Sequence, residues 1–562
     1  MSKVSVIGLD GATFRVVDYL VAQGRLPGFS RIIEEGSRAI LKSTRPPLTP
    51  AAWASFYTGT NPGKHGVVDF FRRLPGTYTL TPVSAQAVRG HTVWSIASDY
   101  GKRVCVYNVP LTYPAVPVNG IMISGMDAPG LDARAYYPQS CRDEILAKFP
   151  DFDIEPTHNP VYINNHFEDA IGEFIRRLDT YLHLQIDVIR HLMQKEDWDL
   201  FVAVIRSPDS FQHTFWDSVE TVITQGMDNA SPKDIRRAEA VFSCYESIDR
   251  ELGEIVSKNG EERNLIIMSD HGFGLLRREI CLNKLLEEAG LLKFNQVNSG
   301  RRVRNQLIKS ISLRFSTRMK KRISKFLRKQ GMARSIFLNT LEDDIDWAQT
   351  KLYSLGQFGC LFTNMRGREP MGTVTEGEER LAMLDEAEAA LMNFVDPEDG
   401  LPVITEFHRR EELFHGSQTG EMPAAVVTMR NYSYRGVCSL TSEMESDSII
   451  RRPHADWDEL APTGCHRLEG VLLMHGPDIM QAELSVRNIT DVTPTILRLL
   501  GFPGRESFDG EIISEALESK GETGERIYRP LVESEHCLVM EPSYSEAEEE
   551  EIRRKLENLG YL

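Results

Sequence analysis

Six acids and imidazoles sit at the ends of apolar runs. Asp10 follows VSVIGL, and Asp209 and His213 follow FVAVI within RSPDSFQH. Asp270 and His271 follow LIIM within SDHGFG, and His466 stands in GCHRLEG just before the run GVLLM. Taken singly, each has an ordinary structural role open to it, since an Asp after a strand commonly turns or caps the chain and a lone His commonly bonds within the fold. Taken together, three carboxylates and three imidazoles at strand ends suit one or two borderline divalent ions, with zinc favoured by the nitrogen share. Asp209 and His213 are four apart, so one helical turn would bring both to the same side.

A hydroxyl is also on offer. In RPPLTPAAWASFYTG, Thr49 precedes Pro50 and an Ala-rich stretch closed by Gly59. Pro50 suits the first helical position, which predicts Thr49 as the N-cap. Capping alone would account for Thr49. Beside a metal set, however, the position gains chemistry, because amides at a helix start bind phosphate oxygens and the positive end of the dipole favours an alkoxide. A metal contact could also lower the hydroxyl pKa enough to make a nucleophile at neutral pH.

The succession Asp10, LTPAAWASFYTG, NPGKHG (61–66), RSPDSFQH, SDHGFG, GCHRLEG resembles the alkaline phosphatase superfamily, most closely its nucleotide pyrophosphatase and phosphodiesterase branch. The resemblance implies two divalent ions, zinc or alternatively manganese, one on Asp10, Asp270 and His271 beside Thr49 and the other on Asp209, His213 and His466. It further implies in-line attack by Thr49 on a small phosphoester, a phosphothreonine intermediate, and its hydrolysis by water. One position departs from the branch: the Asn usual three residues after the nucleophile is Ala52 here, so a non-bridging oxygen loses a donor. Lys64, His65, Arg206 and His454 are the candidates for contacting substrate. Each has a plainer role available: a salt bridge to a ligand carboxylate for Arg206, a capped turn for Lys64 and His65, a loop carbonyl for His454. A phosphodiesterase or nucleotide pyrophosphatase-like enzyme is the leading reading. A phosphomonoesterase would want further cations, which Pro50, Ala51 and Ala52 do not supply. A soluble phosphotransferase is a second alternative, and an inactive binding scaffold is disfavoured because all six ligands are present.

Such a site needs a scaffold that aligns strand ends. The short runs at 4–9, 103–109, 201–205 and 264–269 are apolar on both faces and alternate with amphipathic stretches such as 167–195. This predicts an α/β fold, a mainly parallel central sheet with helices on both faces and an inserted α+β cap region. The expected divisions are a core in two parts (1–295 and 441–520), a basic helical insertion (296–345), an α+β insertion (346–440) and a C-terminal helical tail (521–562). Residues 301–329 carry twelve Lys or Arg and no acid. They read as a solvated amphipathic helix, a lid over an anionic substrate, or a contact with an anionic membrane surface. ITDVTPTILRLLG should form a helix capped by Asp491 and ended by Gly501. The tail should open on a Ser545–Glu548 capping box and bury Ile552, Leu556 and Leu559.

Composition bounds the partners. The 562 residues carry a formal charge of −17, which disfavours nucleic-acid polymers. No apolar run approaches the roughly 18 residues that span a bilayer, and the amino terminus lacks a signal-peptide pattern. The eight cysteines are scattered, without a CxxC pair. They read as reduced thiols of a cytoplasmic protein. The oligomeric state stays open.

Overall fold

The computed structural model describes residues 2–155, 163, 167–259, 262–295, 345–437, 448–453, 459–502, 507–518 and 544–558. The basic stretch 301–329, His454 and Leu559 lie outside the described residues.

A ten-stranded sheet organises the chain. Its order is Ala482–Glu483 (β15), Ser37–Lys42 (β2), Glu469–His475 (β14), Arg263–Met268 (β7), Lys3–Leu9 (β1), Leu200–Ile205 (β6), Val104–Val109 (β3), Gly120–Ser124 (β4) and Tyr136–Tyr137 (β5), with Arg487–Asn488 (β16) also on β2. β1 runs parallel to β6 and β7, and β3 runs parallel to β6 and β4. β14 reverses the pattern, pairing antiparallel with both β7 and β2. The sheet is therefore mainly parallel, as expected, with antiparallel pairings toward both edges.

The continuous apolar runs follow from burial on both faces, since side chains alternate along a strand. Ile7 and Leu9 of β1, Phe201 and Ala203 of β6, and Leu265 and Ile267 of β7 share one core. That core is covered by Ala170–Lys195 (α3), Ser207–Gln225 (α4) and Pro232–Asn259 (α5). Val4, Val6, Val202, Val204, Ile266 and Met268 share the opposite core, under Thr49–Thr58 (α1) and Val492–Leu499 (α6). Each fully buried aliphatic side chain contributes about 1.5–3 kcal/mol, so the strand ends, and whatever they carry, are held by the most stable part of the molecule.

A second, antiparallel sheet of Leu352–Leu355 (β9), Cys360–Thr363 (β10), Ala425–Met429 (β12) and Ile404–Arg409 (β11), in that order, has its own core of Leu352, Leu361, Leu384 and Val427. Gly272–Leu275 (β8) pairs antiparallel with Gly464–Arg467 (β13), setting Phe273 opposite His466. His466 thus lies ahead of β14, as expected, and is itself inside the short strand β13.

Two local expectations shift. α1 begins at Thr49 itself, with Leu48 at the cap in an extended conformation (φ −113°, ψ 133°). Thr49 therefore caps nothing, and its hydroxyl is left for other partners. Asp491 does precede α6, but its carboxylate accepts from the amides of Asn488 and Glu511, not from α6. The Glu548 carboxylate accepts from the amide and hydroxyl of Ser545, and Ile552 and Leu556 are buried, as the tail pattern predicts.

Candidate active site

The carboxyl ends of three adjacent strands, together with α4, β13 and α1, deliver the site. Asp10 leaves β1 and Asp270 leaves β7, while Arg206 ends β6 and opens α4, which carries Asp209 and His213. β13 brings His466 beside them, and α1 presents Thr49. Asp10, Thr49, Arg206, Asp270, His271 and His466 are wholly buried, and Asp209 nearly so. His213 alone among the six ligand candidates is partly exposed, at 12%.

The Thr49 hydroxyl lies 3.4 Å from His271 Nε2. That nitrogen is 3.6 Å from Asp10 Oδ1 and 3.4 Å from Asp270 Oδ2. On the other side, Asp209 Oδ1 is 3.3 Å from His213 Nε2 and 3.4 Å from His466 Nε2, and these two nitrogens are 3.0 Å apart. The His271 and His466 rings stack at 3.5 Å between the two groups.

The three imidazoles are fixed in one way. His271 Nδ1 donates to the Gly272 carbonyl at 3.1 Å, His466 Nδ1 to Pro47 at 2.8 Å, and His213 Nδ1 to Gly464 at 3.2 Å. A carbonyl can only accept, so each neutral ring carries its proton on Nδ1 and turns an Nε2 lone pair inward. Lone pairs of His213 and His466 at 3.0 Å call for a cation between them. Metal-binding histidines are commonly oriented by this kind of carbonyl contact.

The electrostatics agree. Burial raises Asp10 well above the usual carboxylate range, and Asp270 adds to this against the opposing Arg206 guanidinium. Burial likewise pushes Asp270 up to about 7. Burial would raise Asp209 as well, but positive charge placed at His213 and His466 outweighs it and holds that carboxyl well below its usual range. Burial also lowers His271 and His466, keeping both neutral. Among the described residues, neither oxygen of Asp10 nor Oδ2 of Asp270 receives a hydrogen bond. Acceptors so buried and so poorly satisfied fit divalent cations. Asp10, Asp270 and His271 can converge on one ion, and Asp209 and His466 on another with His271 or His213.

Arg206 lies 3.6 Å from Asp10 Oδ2, 3.6 Å from Asp209 Oδ2 and 3.3 Å from Glu155 Oε2. It bridges the carboxylates of two ligand candidates, the plainer of its two expected roles. Lys64 and His65 are engaged elsewhere. Both lie in Pro62–His65 (α2), where Lys64 pairs with Asp509, and His65 bonds the Ser55 hydroxyl at 2.9 Å and accepts from the Val67 amide at 3.2 Å. Burial depresses His65 to about 3, so it stays neutral.

Three residues at the site escaped sequence reasoning. Phe273 sets its ring 4.9 Å from His213 and 5.6 Å from His466. Its place in SDHGFG was a usable signal. Phe358, in the β9–β10 turn, stacks on His466 at 5.1 Å, and Glu155 reaches Arg206 from a separate loop. Nothing local to either residue announces such a contact.

The family model for type I phosphodiesterase / nucleotide pyrophosphatase matches residues 4–348. Among solved structures, the fold is similar to phosphonoacetate hydrolase from Sinorhizobium meliloti 1021 in complex with phosphonoacetate, with a TM-score of 0.52 and 14% identity over 89% of this chain and 95% of that one. Human ectonucleotide pyrophosphatase / phosphodiesterase 5 aligns with a TM-score of 0.47 and 13% identity over 92% of this chain and 100% of that one. No curated protein matches.

Proposed function

Because the chain belongs to the type I phosphodiesterase / nucleotide pyrophosphatase family and is accordingly a metal-dependent phosphoester hydrolase, we propose that it cleaves a compact phosphodiester or pyrophosphate with Thr49 as nucleophile. The observation that carries this reading is the Thr49 hydroxyl at 3.4 Å from His271 Nε2, at the start of α1 and beside the Asp10–Asp270 pair.

Two divalent ions, zinc on the nitrogen share or else manganese, held by Asp10, Asp270 and His271 and by Asp209, His213 and His466, would supply Lewis-acid stabilisation of phosphoryl charge and acidify the hydroxyl. The protein's own part is positioning. The start of α1 favours negative charge at Thr49 through its dipole and free amides. Oγ1 attacks phosphorus, the bond to the leaving oxygen breaks, and water then hydrolyses the phosphothreonine. Arg206 holds Asp10 and Asp209 in place as a positioning residue.

Charge supports a diester over a monoester. Pro50, Ala51 and Ala52 bring no cation, Arg206 faces carboxylates, and Lys64 is paired with Asp509. A dianionic phosphoryl group would find little compensation among these groups. Hydrolysis of bis-aryl phosphate, aryl monophosphate and aryl phosphonate ester, each with and without chelator, tests this. The diester should turn over fastest and only with metal, and faster monoester cleavage would reverse the assignment. A cytoplasmic location is part of the same proposal, supported by the six described cysteines, all free and buried. Cell fractionation checks it.

A further inference from the structure

The C-terminal helix Glu546–Asn558 (α7) packs against the segment around Leu80 and the loop around Ala128. The Tyr544 hydroxyl just ahead of it donates to the Asp127 carbonyl at 3.0 Å, and the ring stacks on Tyr113 at 5.7 Å. The Thr81 hydroxyl donates to Glu549 at 2.9 Å, and Arg553 lies over Phe71 at 4.8 Å while donating to the Leu80 carbonyl. Between α7 and the core is a cavity of about 20 Å³ whose walls include Pro50, Met126, Asp127, Lys555 and Leu556. Pro50 adjoins Thr49, and Met126 touches the guanidinium of Arg206. The cavity is thus linked to the candidate site through one residue on each of two walls, Pro50 next to Thr49 and Met126 against Arg206.

Lys555 faces it with donors to spare. The residue is 6% exposed, and among the described residues its ammonium makes one hydrogen bond, to the Ala128 carbonyl at 2.9 Å. An ammonium has three donors. Among the described residues no carboxylate stands at ion-pair distance from it. Asp127 spends its oxygens on the amides of Thr112 (3.4 Å) and Tyr113 (2.8 Å), while Asp153 and Glu155 act on Lys555 only from farther away. A buried ammonium left so incompletely satisfied is costly unless an acceptor arrives. The cavity has room for about one such oxygen.

We propose that Lys555 is a specificity-determining residue that binds an anionic oxygen on the substrate, and hence that the substrate carries a second anionic group, carboxylate or phosphate, next to the scissile phosphoester. The inference rests on the phosphoester-hydrolase reading above and adds the class of substrate to it.

The test compares kcat/KM for a bis-aryl phosphate with that for the same ester bearing a carboxylate on one ring, in the full-length, metal-loaded enzyme. A ratio taken on one preparation is independent of the folded fraction, so a variant that folds poorly still reports. Wild type should prefer the carboxylated ester by at least tenfold, mainly through KM. Lys555→Met should bring the ratio near one, Lys555→Arg should keep part of it, and Arg553→Ala, which loosens α7 without touching the cavity, should keep it in full. A ratio near one in wild type, or one unchanged in Lys555→Met, overturns the proposal and leaves Lys555 as a group satisfied by water. Equal loss of the ratio in Arg553→Ala also overturns it, assigning the effect to helix docking. If wild type hydrolyses neither ester nor any other phosphoester, it is the enzyme reading that fails.

Discussion

At the scale of single residues, the site is built from groups denied their usual partners. Thr49 makes no capping bond, so its loss should disturb chemistry far more than folding. Thr49→Ala should abolish turnover while shifting stability by about 1 kcal/mol, and Thr49→Ser should keep measurable activity, as product-release kinetics alongside thermal melts would reveal. More than a few percent of the wild-type rate in Thr49→Ala would rule out the covalent route. The carboxylates make a second prediction. Asp270 is raised to about 7, so the metal-free fold binds its proton more tightly than the unfolded chain does. That stability is present in full below the unfolded value of about 4 and is lost as pH rises through about 7. Asp10 acts in the same direction; Asp209, held low, acts oppositely and loses its contribution only as the medium becomes strongly acidic. With chelator the melting temperature should therefore fall from about pH 4 to pH 7, and added zinc should flatten the slope. A metal-free melting curve flat over that window would contradict the assignment. The acids and imidazoles were legible because each lies close in sequence to an apolar run. Phe358 and Glu155 were not, because what brings them to the site is packing between segments more than a hundred residues apart in the case of Phe358 and His466.

Among the elements, the pairing of β8 with β13 decides whether the proposed metal ligands meet at all. β13 lies so close to α4 that a Cβ on Gly464 would come within 2.3 Å of the Gln212 carbonyl oxygen and 2.5 Å of Phe273. Neither is the free end of a flexible side chain. Gly464→Ala should push His466 away from Asp209, destabilise the protein by about 1–3 kcal/mol, and lower bound metal per chain. Metal analysis of the purified variant, compared with Thr49→Ala, would show the difference. Full metal content in Gly464→Ala would mean that β13 does not set the site. Strands were readable because burial on both sheet faces imposes unbroken apolarity. The run GVLLM revealed β14 but not its antiparallel direction, which depends on how β2 and β7 are spaced by the whole sheet. The α1 boundary missed by one residue, since Leu48 can extend as easily as Thr49 can cap.

For the whole molecule, the fold class and the two-faced burial were readable, while the cavity under α7 was not, since the helix pattern marks Ile552 and Leu556 as buried without saying against what. β14 sits between β7 and β2, and β2 reaches the rest of the sheet only through it, its other partners β15 and β16 coming later still. A strand edge without its neighbour is a template for wrong pairing. A chain ending at residue 462 should accordingly be recovered mostly as aggregate, and soluble, protease-resistant material from it would contradict this. The same arrangement sets a clock during synthesis. β2 leaves the ribosome early, yet its place in the sheet opens only when β14 follows, and at ordinary elongation speeds that interval is roughly 20–90 s. For that time the nascent chain carries an apolar strand with nowhere to go, so yield in the cell should depend on chaperones that shelter it and fall when translation is slowed between the codons for β2 and β14.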